Sequence, residues 1–538
     1  MWLLTAEAMR RLDRATIEAG HASGETLMER AGSAVVQAME RRYGPLLGLR
    51  VLVLCGTGRN GGDGFVAARH LRARGAVPRV GLLGARGRVK DEARVHLERM
   101  EADGVRATPV ESDEALAKLL APADEWDFAL DALLGTGARG APEGLVASGV
   151  QALRDLDDQG TRVVAVDLPT GVDGDRGTVA RRAVRADLTV TFGAAKRAHF
   201  LYPARAFAGA LEVADIGLLP PPGGDPDYTI EVATAAAMAA RVPVRDPRAH
   251  KRSVGQVLVV GGSVSLTGAV VLAARGATRA GAGYVQAMVP AGLLPLLAAR
   301  LTSEMVIPAA ESAGLALAPD SRSAVLEQAG RCDALVLGPG ISREPGALEL
   351  ARAVALGASI PAVVDADALN AFEGCAERLR EAHGPRVLTP HLGEMARLTG
   401  LASEALEAGR IDEPRAWAKR WNVVVVLKGA PTVIAAPDER VTVNPTGNPG
   451  MATAGAGDVL GGAIAALIAQ GLEPYEAAGL ACYVHGRAGD LVAARRGQQG
   501  MCAGDLAEAL PEAIFELARL RDRAPLRSDT SRRRRPAP

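Results

Sequence analysis

Two runs of the sequence combine glycines with a carboxylate next to an apolar segment. GTGRNGGDG, residues 56–64, carries Asn60 and Asp63 among its glycines, and TAGAGD, residues 453–458, ends on Asp458. Glycine lets the backbone approach a ligand closely, and the amides at a helix start bind anions. A carboxylate in such a place can take a proton from a substrate. Both runs therefore predict ligand-binding loops, and the second predicts a base beside an anion site.

The first run matches G-x-G-x-x-G through Gly56, Gly58 and Gly61, which is the fingerprint of dinucleotide-binding loops. A dehydrogenase also needs an acidic residue about 20 positions further on, at the end of the next strand, to bind the ribose. The next predicted strand ends in RVGLLGARG, residues 79–87, without an acidic residue. An NAD dehydrogenase is therefore disfavoured. Asp63 either caps the following helix or faces a ligand.

Two more polar runs follow apolar strands. Asp131 lies in FALDALLGTGARGAPEG, residues 128–144, and Asp167 and Thr170 lie in VVAVDLPTGVDGDRG, residues 163–177. Ligands of parallel sheets bind beyond the carboxyl ends of the strands, so these residues should converge with the first glycine loop. Amide, hydroxyl and carboxylate oxygens suit a weakly held alkali or alkaline-earth cation better than zinc.

The second half repeats this pattern with other residues. Lys428 follows the apolar run 423–427, with Gly429 and Thr432 after it, and His391 and Glu394 follow another strand. A lysine, amides and a hydroxyl can bind nucleotide phosphates. The alternatives are an exposed strand end for Lys428, a structural role for the histidine, and a helix cap for Asp458.

The composition indicates packed α/β domains. The chain has 538 residues, 48% of them apolar, and 62 basic residues balance 62 acidic ones. The length predicts several domains, and the balanced charge and scarce aromatics argue against nucleic acid as a partner. The five cysteines include no C-x-x-C pair, which predicts neither a disulfide framework nor a zinc site. No segment resembles a signal peptide, and the apolar helix at 459–472 is too short to span a bilayer, so we expect a cytoplasmic protein without membrane contact.

Apolar strands alternate with helical segments, which predicts two α/β units with mostly parallel sheets. Residues 1–45 look helical, and the strands are predicted at 51–55, 79–83, 128–135, 162–169, 188–193, 256–262, 334–340, 361–367, 386–390 and 422–429. Prolines and glycines interrupt the pattern near 218–229. We therefore predict domains at 1–217 and 227–523, a linker at 218–226, and a disordered basic tail at 524–538.

The runs NGGDG, DALLGTG and DLPTGVDGDRG, with the opening LLTAEAMRRLD, resemble the N-terminal NAD(P)HX epimerase domain of the bifunctional NAD(P)H-hydrate repair enzymes. The resemblance covers about residues 1–217. It implies a Rossmann-like domain in which Asn60, Asp131 and Thr170 bind potassium and Asp167 transfers a proton. It implies hydrate contacts by Arg59, Asn60, Gly61, Gly62, Asp63, Gly135, Thr136, Gly137, Ala138, Arg139, Gly140, Ala141 and Asp167. Arg59 stands where the family has Asn, which alters a phosphate contact, and Thr170 stands for Ser, which keeps the hydroxyl.

The runs HKRSVGQVLVVGGS, LGPG, VVDADALN, LTPHLGE, KGAPT and GNPGMATAGAGD resemble the ADP-dependent NAD(P)HX dehydratase domain of the same family, over about 227–520. This implies a ribokinase-like domain with Asp458 as the catalytic base. It implies that Ala269, Gly340, His391 and Asp458 bind the hydrate, and that Lys428, Gly429, Ala430, Pro431, Thr432 and Gly457 bind the nucleotide. The chain departs from the family pattern at Ala454, Ala456 and Leu266. These departures affect the affinity for the ligand rather than the reaction.

Together the two resemblances imply repair of hydrated NADH and NADPH. The first domain would interconvert the R and S epimers of the hydrate. The second would dehydrate the S epimer to NAD(P)H at the expense of ADP, giving AMP and phosphate. The implied cofactors are K⁺ in the first domain and Mg²⁺ with ADP in the second, and we expect a homo-oligomer.

Two other functions are compatible with part of the pattern. A ribokinase-like small-molecule kinase with an accessory N-terminal binding domain shares Asp458 and the anion site, so these do not discriminate. The accompanying LTPHLGE and LGPG runs favour repair. The second alternative is a first domain that only binds a ligand or acts as a scaffold. Epimerase activity of the protein that survives mutation of Asp167 would support this alternative.

Overall fold

The computed structural model describes residues 1–121, 126–138, 140–222 and 224–523. Arg139, one of the predicted hydrate contacts, and the predicted tail at 524–538 lie outside the described residues. The chain divides into two compact units, Met1–Glu231 and Val232–Pro538. Each unit is built on a mostly parallel sheet packed against helices, which confirms the α/β prediction.

The first unit alternates strands and helices. Its strands are β1 (Leu3–Leu4), β2 (Arg50–Cys55), β3 (Val77–Leu83), β4 (Ala107–Val110), β5 (Phe128–Ala132), β6 (Arg162–Val166), β7 (Leu188–Phe192), β8 (Ala195–Lys196) and β9 (Ala210–Ala214). Its helices are α1 (Ala6–Glu18), α2 (Gly24–Tyr43), α3 (Arg59–Ala73), α4 (Asp91–Ala102), α5 (Asp113–Leu120) and α6 (Gly144–Asp158).

The main sheet of this unit is parallel throughout, in the order β4-β3-β2-β5-β6-β7-β9. Both faces are covered: Val51 and Val53 pack into the core with α2, α3 and α4, whereas Leu52 and Leu54 pack with α5 and α6. The strand order reverses between β2 and β5, which is where open α/β sheets bind ligands. β1 and β8 form a separate parallel pair.

Some predicted boundaries in this unit are wrong. Residues 1–45 contain a short strand before two helices, and β5 and β6 end at Ala132 and Val166, earlier than predicted. The polar residues that follow these strands therefore belong to loops. Asp63 lies inside α3, whose N-cap is Gly58, so it does not cap that helix.

Backbone contacts exclude a side chain at some glycines of the first glycine loop. A Cβ on Gly61 would lie 1.9 Å from the carbonyl oxygen of Gly56, whereas a Cβ on Gly58 would meet nothing within 4 Å. Because backbone atoms cannot move aside like a flexible side chain, Gly61→Ala should destabilise the protein by ~1–3 kcal/mol. Thermal unfolding of Gly61→Ala beside the matched Gly58→Ala control tests this. Equal melting temperatures for the two variants would contradict it.

The second unit is also an α/β arrangement. Its strands are β10 (Ile230–Val232, at the boundary between the units), β11 (Gln256–Val260), β12 (Tyr284–Pro290), β13 (Met305–Ala309), β14 (Ala334–Leu337), β15 (Ala362–Val364), β16 (Arg386–Leu388), β17 (Val424–Leu427), β18 (Thr432–Ala435) and β19 (Val441–Asn444). Its helices are α7 (Ala235–Ala239), α8 (Thr267–Arg279), α9 (Leu294–Ala298), α10 (Arg322–Ala329), α11 (Pro345–Gly357), α12 (Asp367–Asn370), α13 (Leu392–Thr399), α14 (Ser403–Ala408), α15 (Asp412–Trp421), α16 (Ala456–Ala469), α17 (Pro474–Arg496) and α18 (Ala503–Arg523).

The sheet order is β10-β19-β18-β17-β16-β15-β14-β11-β12-β13. It is parallel from β17 to β13, and β18 and β19 extend it as antiparallel strands. Helix α16 packs closely on α8 because glycines stand at the contact: a Cβ on Gly462 would lie 2.0 Å from the carbonyl oxygen of Ala273. Within the described residues, no helix has the length and apolar character needed to cross a membrane.

Candidate active sites

Several predicted residues of the first unit line a cavity of about 420 Å³ at the carboxyl ends of β2, β5 and β6. Its lining includes Arg59, Asn60 and Asp63 from α3, residues 135–138 after β5, and Asp167 after β6. Three separate motifs are thus brought together. Gly61 and Gly62 instead pack against neighbouring atoms of the unit. Gly140 and Ala141 are described but do not belong to this lining.

Asp167 is the centre of a buried polar network. Lys196 Nζ donates hydrogen bonds to Asp167 Oδ1 at 2.6 Å and to Thr191 Oγ1 at 2.7 Å, and Thr191 Oγ1 donates to the same carboxylate oxygen at 2.9 Å. His199 Nε2 donates to the carbonyl oxygen of Asp167 at 3.0 Å. Asp167 has a φ of +67°, a conformation that only a few per cent of non-glycine residues adopt. Surrounding contacts thus fix its direction.

These contacts also set its charge. Burial opposes ionisation of Asp167, but the charge and hydrogen bond of Lys196 outweigh it and hold the pKa of the carboxyl below its ordinary value. Lys196 is 2% exposed, so the pair is almost fully withdrawn from water. The site therefore holds an ionised carboxylate and a buried ammonium group side by side.

Two more carboxyls face the same cavity. Asp13 on α1 and Asp63 both line it. Burial raises the pKa of Asp13 to about 6, with Lys196 opposing the shift and Asp167 adding to it. Burial, then the charges of Asp167 and Asp13, raise the pKa of Asp63 well above its ordinary value. The cavity therefore has groups that can hold a proton as well as one that stays ionised.

The predicted cation ligands surround the turn after β5. Thr170 donates from its amide to Asp131 Oδ2 and from its hydroxyl to Asp131 Oδ1, both at 2.7 Å. Thr170 Oγ1 also accepts from the amide of Leu134 at 3.1 Å, and Asn60 Oδ1 lies 3.0 Å from where a Cβ on Gly135 would be. Asp131 is completely buried and has no ion pair among the described residues. Burial raises its pKa to about 6, although hydrogen bonds from Thr170 oppose this.

The second unit gathers charged residues at the ends of β15, β16 and β17. Lys428 Nζ lies 3.1 Å from Asp365 Oδ1 and 3.7 Å from Glu394 Oε2. A Cβ on Gly457, in the first turn of α16, would lie 3.3 Å from Lys428 Nζ. Burial opposes the charge on Lys428, but Asp365 and Glu394 outweigh it and raise its pKa. The lysine thus remains an ammonium group beside the glycine loop.

Asp458 lies in the first turn of α16, where Gly455 is the N-cap, so the helix-cap alternative is wrong. Burial, then the charge of Asp365, raises the pKa of Asp458 to about 8, and Lys428 opposes this shift. A carboxyl poised near neutral pH suits proton abstraction better than an ordinary aspartate does.

The glycine turns after β11 and β14 lie against each other. A Cβ on Gly340 would lie 2.5 Å from the carbonyl oxygen of Leu266 and 3.3 Å from the Cβ of Ala269. Ser263 Oγ donates to the carbonyl oxygen of Gly340 at 2.8 Å. The structure thus places the predicted residues Ala269 and Gly340 together, at the reversal of strand order between β11 and β14.

His391 and the loop at 428–432 have local structural roles as well. His391 caps α13: its Nδ1 accepts from the amides of Gly393 and Glu394 at 3.0 and 3.2 Å. The side chain is 56% exposed, and its Nε2 lies 3.4 Å from Glu394 Oε1. Thr432 Oγ1 donates to the carbonyl oxygen of Gly429 at 3.1 Å and so closes the loop containing Ala430 and Pro431.

Sequence reasoning missed several residues that the geometry places at these sites. Lys196, Thr191 and Asp13 received no role, and Asp365 was only part of a quoted motif. The available signals were a lysine just after the predicted strand that ends in TFG and an aspartate four residues after Met9 in the predicted helical segment 1–45. Neither signal shows which cavity the side chain enters.

The two sites define a two-domain α/β enzyme with a separate carboxylate-centred site in each domain. Residues 24–198 match the family described as YjeF-related protein N-terminus, and residues 257–512 match the family described as NAD(P)H-hydrate dehydratase. A bifunctional NAD(P)H-hydrate repair enzyme of Moorella thermoacetica is 42% identical over 518 residues, which cover 96% of this chain and 97% of that protein. The protein of that name in Escherichia coli is 34% identical, covering 95% and 93%.

This chain therefore belongs to the family of bifunctional NAD(P)H-hydrate repair enzymes. The resemblance inferred from the motifs is confirmed. Among solved structures, an ADP/ATP-dependent NAD(P)H-hydrate dehydratase from Bacillus subtilis, co-crystallised with ATP and Mg²⁺, is 30% identical. The match covers 53% of this chain and 98% of that one, with a TM-score of 0.47.

Proposed function

We infer that this chain repairs hydrated NADH and NADPH: the first unit epimerises the hydrate, and the second dehydrates its S epimer at the expense of ADP. The observation that carries the inference is the presence in one chain of the Asp167–Lys196 cavity and the Asp458–Lys428 site. Each matches the chemistry of one of the two steps. Membership of the repair family supports it and does not favour the kinase alternative.

Epimerisation requires the hydroxyl-bearing ring carbon to lose and regain its configuration. That carbon carries both a hydroxyl group and the ring nitrogen, so it can open to an aldehyde and close again on the other face. Opening removes a proton from the hydroxyl and delivers one to the ring nitrogen. The Asp167–Lys196 pair can exchange a proton at the ring, because an ionised carboxylate and an ammonium group lie 2.6 Å apart there.

Dehydration requires a better leaving group than hydroxide. Asp458 takes the proton of the hydroxyl, whose oxygen attacks the β-phosphorus of ADP, and AMP departs. The lone pair of the ring nitrogen then expels phosphate, and loss of a proton from the adjacent carbon restores the double bond. Lys428 and the amides of the 455–457 loop stabilise the transferred phosphoryl group. His391, Ala269 and Gly340 would hold the hydrate, and residues 428–432 and Gly457 the nucleotide.

Magnesium would be bound mainly through the nucleotide. Within the described residues, no group of three or more His, Cys, Asp or Glu side chains is arranged to hold a metal ion. Mg²⁺ commonly binds through substrate phosphates, waters and one or two carboxylates. We therefore propose that it enters with ADP.

A potassium ion fits the first site because Asp131 is fully buried without an ion pair in the described structure. Asp131, Thr170 and Asn60 would supply its oxygens, and the ion would supply a counter-charge near the reacting ring. We expect KCl to raise the melting temperature and the epimerisation rate relative to choline chloride. Thr170→Val should lose this dependence and Thr170→Ser should keep it. Equal responses of the two variants would contradict the assignment.

The proposed function is tested by adding the protein and ADP to a mixture of both NADHX epimers and following absorbance of the reduced nicotinamide. Full recovery of NADH, with one AMP per NADH, is expected. Recovery of the S fraction alone would refute the epimerase half. No recovery with either ADP or ATP would refute the repair function.

A cytoplasmic location and homo-oligomerisation are further proposals. All five cysteines lie in the described chain as free thiols, which suits a reducing compartment. Light scattering of the purified protein would give the oligomeric state.

A further inference from the structure

We propose that Asp13 is a second proton-transfer residue of the first site, which takes the proton of the substrate hydroxyl when the ring opens. The inference rests on the proposed epimerisation. It assigns a reacting role to a residue of the first helix, which lies far in sequence from the three glycine motifs.

The fold directs this helix at the cavity. Strand β1 pairs with β8, so that Leu4 lies beside Lys196. The amide of Ala6 donates to Asp175 Oδ1 at 2.7 Å, and the hydroxyl of Thr5 caps α1 by accepting from the amide of Ala8. The start of α1 is therefore fixed to the strand that carries Lys196.

Asp13 is a charged residue on the apolar face of α1. Met9 and Leu12 on that face are buried, while Asp13 lines the cavity with Asp167 and Lys196. Its carboxyl has no hydrogen bond or ion pair within the described residues. A sheltered carboxylate without a partner in a ligand cavity is available to a substrate hydroxyl.

The charges around Asp13 distinguish it from Asp167. Asp13 faces two basic and two acidic groups: Arg59 and Asp63 from α3, Asp167 after β6, and Lys196 on β8. Two further charged residues, Glu92 of α4 and Arg10 of the same helix, also line the cavity. Asp167 already accepts from Lys196 and Thr191, which makes it a weak base. Asp13 lacks such donors, and burial raises its pKa to about 6, so it is ionised at neutral pH and more basic.

The step is balanced without another reactant. Asp13 takes the hydroxyl proton, the carbon–oxygen double bond forms, and the bond from that carbon to the ring nitrogen breaks. The nitrogen keeps the electron pair and receives a proton from the Asp167–Lys196 pair. Rotation of the aldehyde and reversal of both transfers give the other epimer.

The test uses the full chain and purified R-NADHX without ADP, with the epimers separated by chromatography. Asp13→Asn should lower kcat for epimerisation by ~10²–10⁴-fold. Glu18→Gln, an exposed acid of the same helix, is the matched control and should keep the wild-type rate. Dehydration of S-NADHX with ADP should be unchanged in both, which reports an intact second unit.

Two readouts separate a proton-transfer role from a structural one. The wild-type kcat/KM should rise with pH through about 6, and this rise should vanish in Asp13→Asn. Formate should partly restore the rate of Asp13→Ala. A rate within threefold of wild type in Asp13→Asn would overturn the proposal. A reduced Asp13→Asn rate that keeps the pH-dependent rise, together with an Asp13→Ala rate that formate does not restore, would also overturn it. A wild-type chain no faster than buffer would instead refute the epimerase function itself.

Discussion

Replacing Asp458 by asparagine is expected to lower the ADP-dependent dehydration of S-NADHX by ~10²–10⁴-fold, because the variant loses its general base. Epimerisation of R-NADHX should continue, since it depends on the other unit. Glu404→Gln, an exposed acid in the first turn of α14, should leave both rates unchanged. A dehydration rate within tenfold of wild type would contradict the role of Asp458.

Asp458→Asn should also stabilise the folded protein at alkaline pH. The folded pKa of Asp458 is about 8, above the value near 4 of an unfolded aspartate. The folded protein therefore binds the Asp458 proton more tightly than the unfolded chain does. The stability that this proton contributes is fully present below pH ~4 and is lost as the pH rises through about 8. Asp458→Asn avoids this loss, so its melting temperature at pH 9 should exceed that of wild type. The dehydration rate of wild type should rise over the same pH range.

Replacing Lys196 by methionine is expected to have the second large effect. It leaves Asp167 buried without its cation, which typically costs ~3–5 kcal/mol of folding free energy when a buried pair is broken. Epimerisation should fall by at least ~100-fold, because the proton-transfer pair is lost. Lys118→Met, at an exposed position of α5, is the control for loss of a lysine.

A double-mutant cycle separates stability from chemistry in this pair. Lys196→Met combined with Asp167→Asn removes both buried charges and should recover part of the lost stability without recovering epimerisation. Additive destabilisation by the two substitutions would contradict the buried ion pair. Dehydration of the S epimer should persist in every variant whose second unit remains folded.

The residues that the sequence could predict lie at the carboxyl ends of apolar strands or directly after them. Asp131 and Asp167 were recognisable because a buried strand ends beside them and glycine follows. Parallel strands end at one edge of the sheet, so their convergence followed from topology. Asp458 was recognisable for a similar reason, since a glycine loop precedes an apolar helix.

The residues that the sequence did not predict reach their sites through tertiary contacts. Lys196 stands on a two-residue strand whose partner is at the chain start, and Asp13 enters the cavity because that pairing orients α1. Asp365 received no role because its ion pair with Lys428 joins residues 63 positions apart. The antiparallel strands β18 and β19 were also missed, because each has only four residues and so short a run gives no clear strand pattern.

The central claim is that two independent sites in one chain perform consecutive steps, and mixing the two single-site variants tests it most directly. With both NADHX epimers and ADP, Asp458→Asn alone should recover no NADH, and Asp167→Asn alone should recover only the S fraction above the spontaneous rate. An equimolar mixture of the two variants should recover all of the NADH. A mixture that recovers no more than the S fraction would contradict the account.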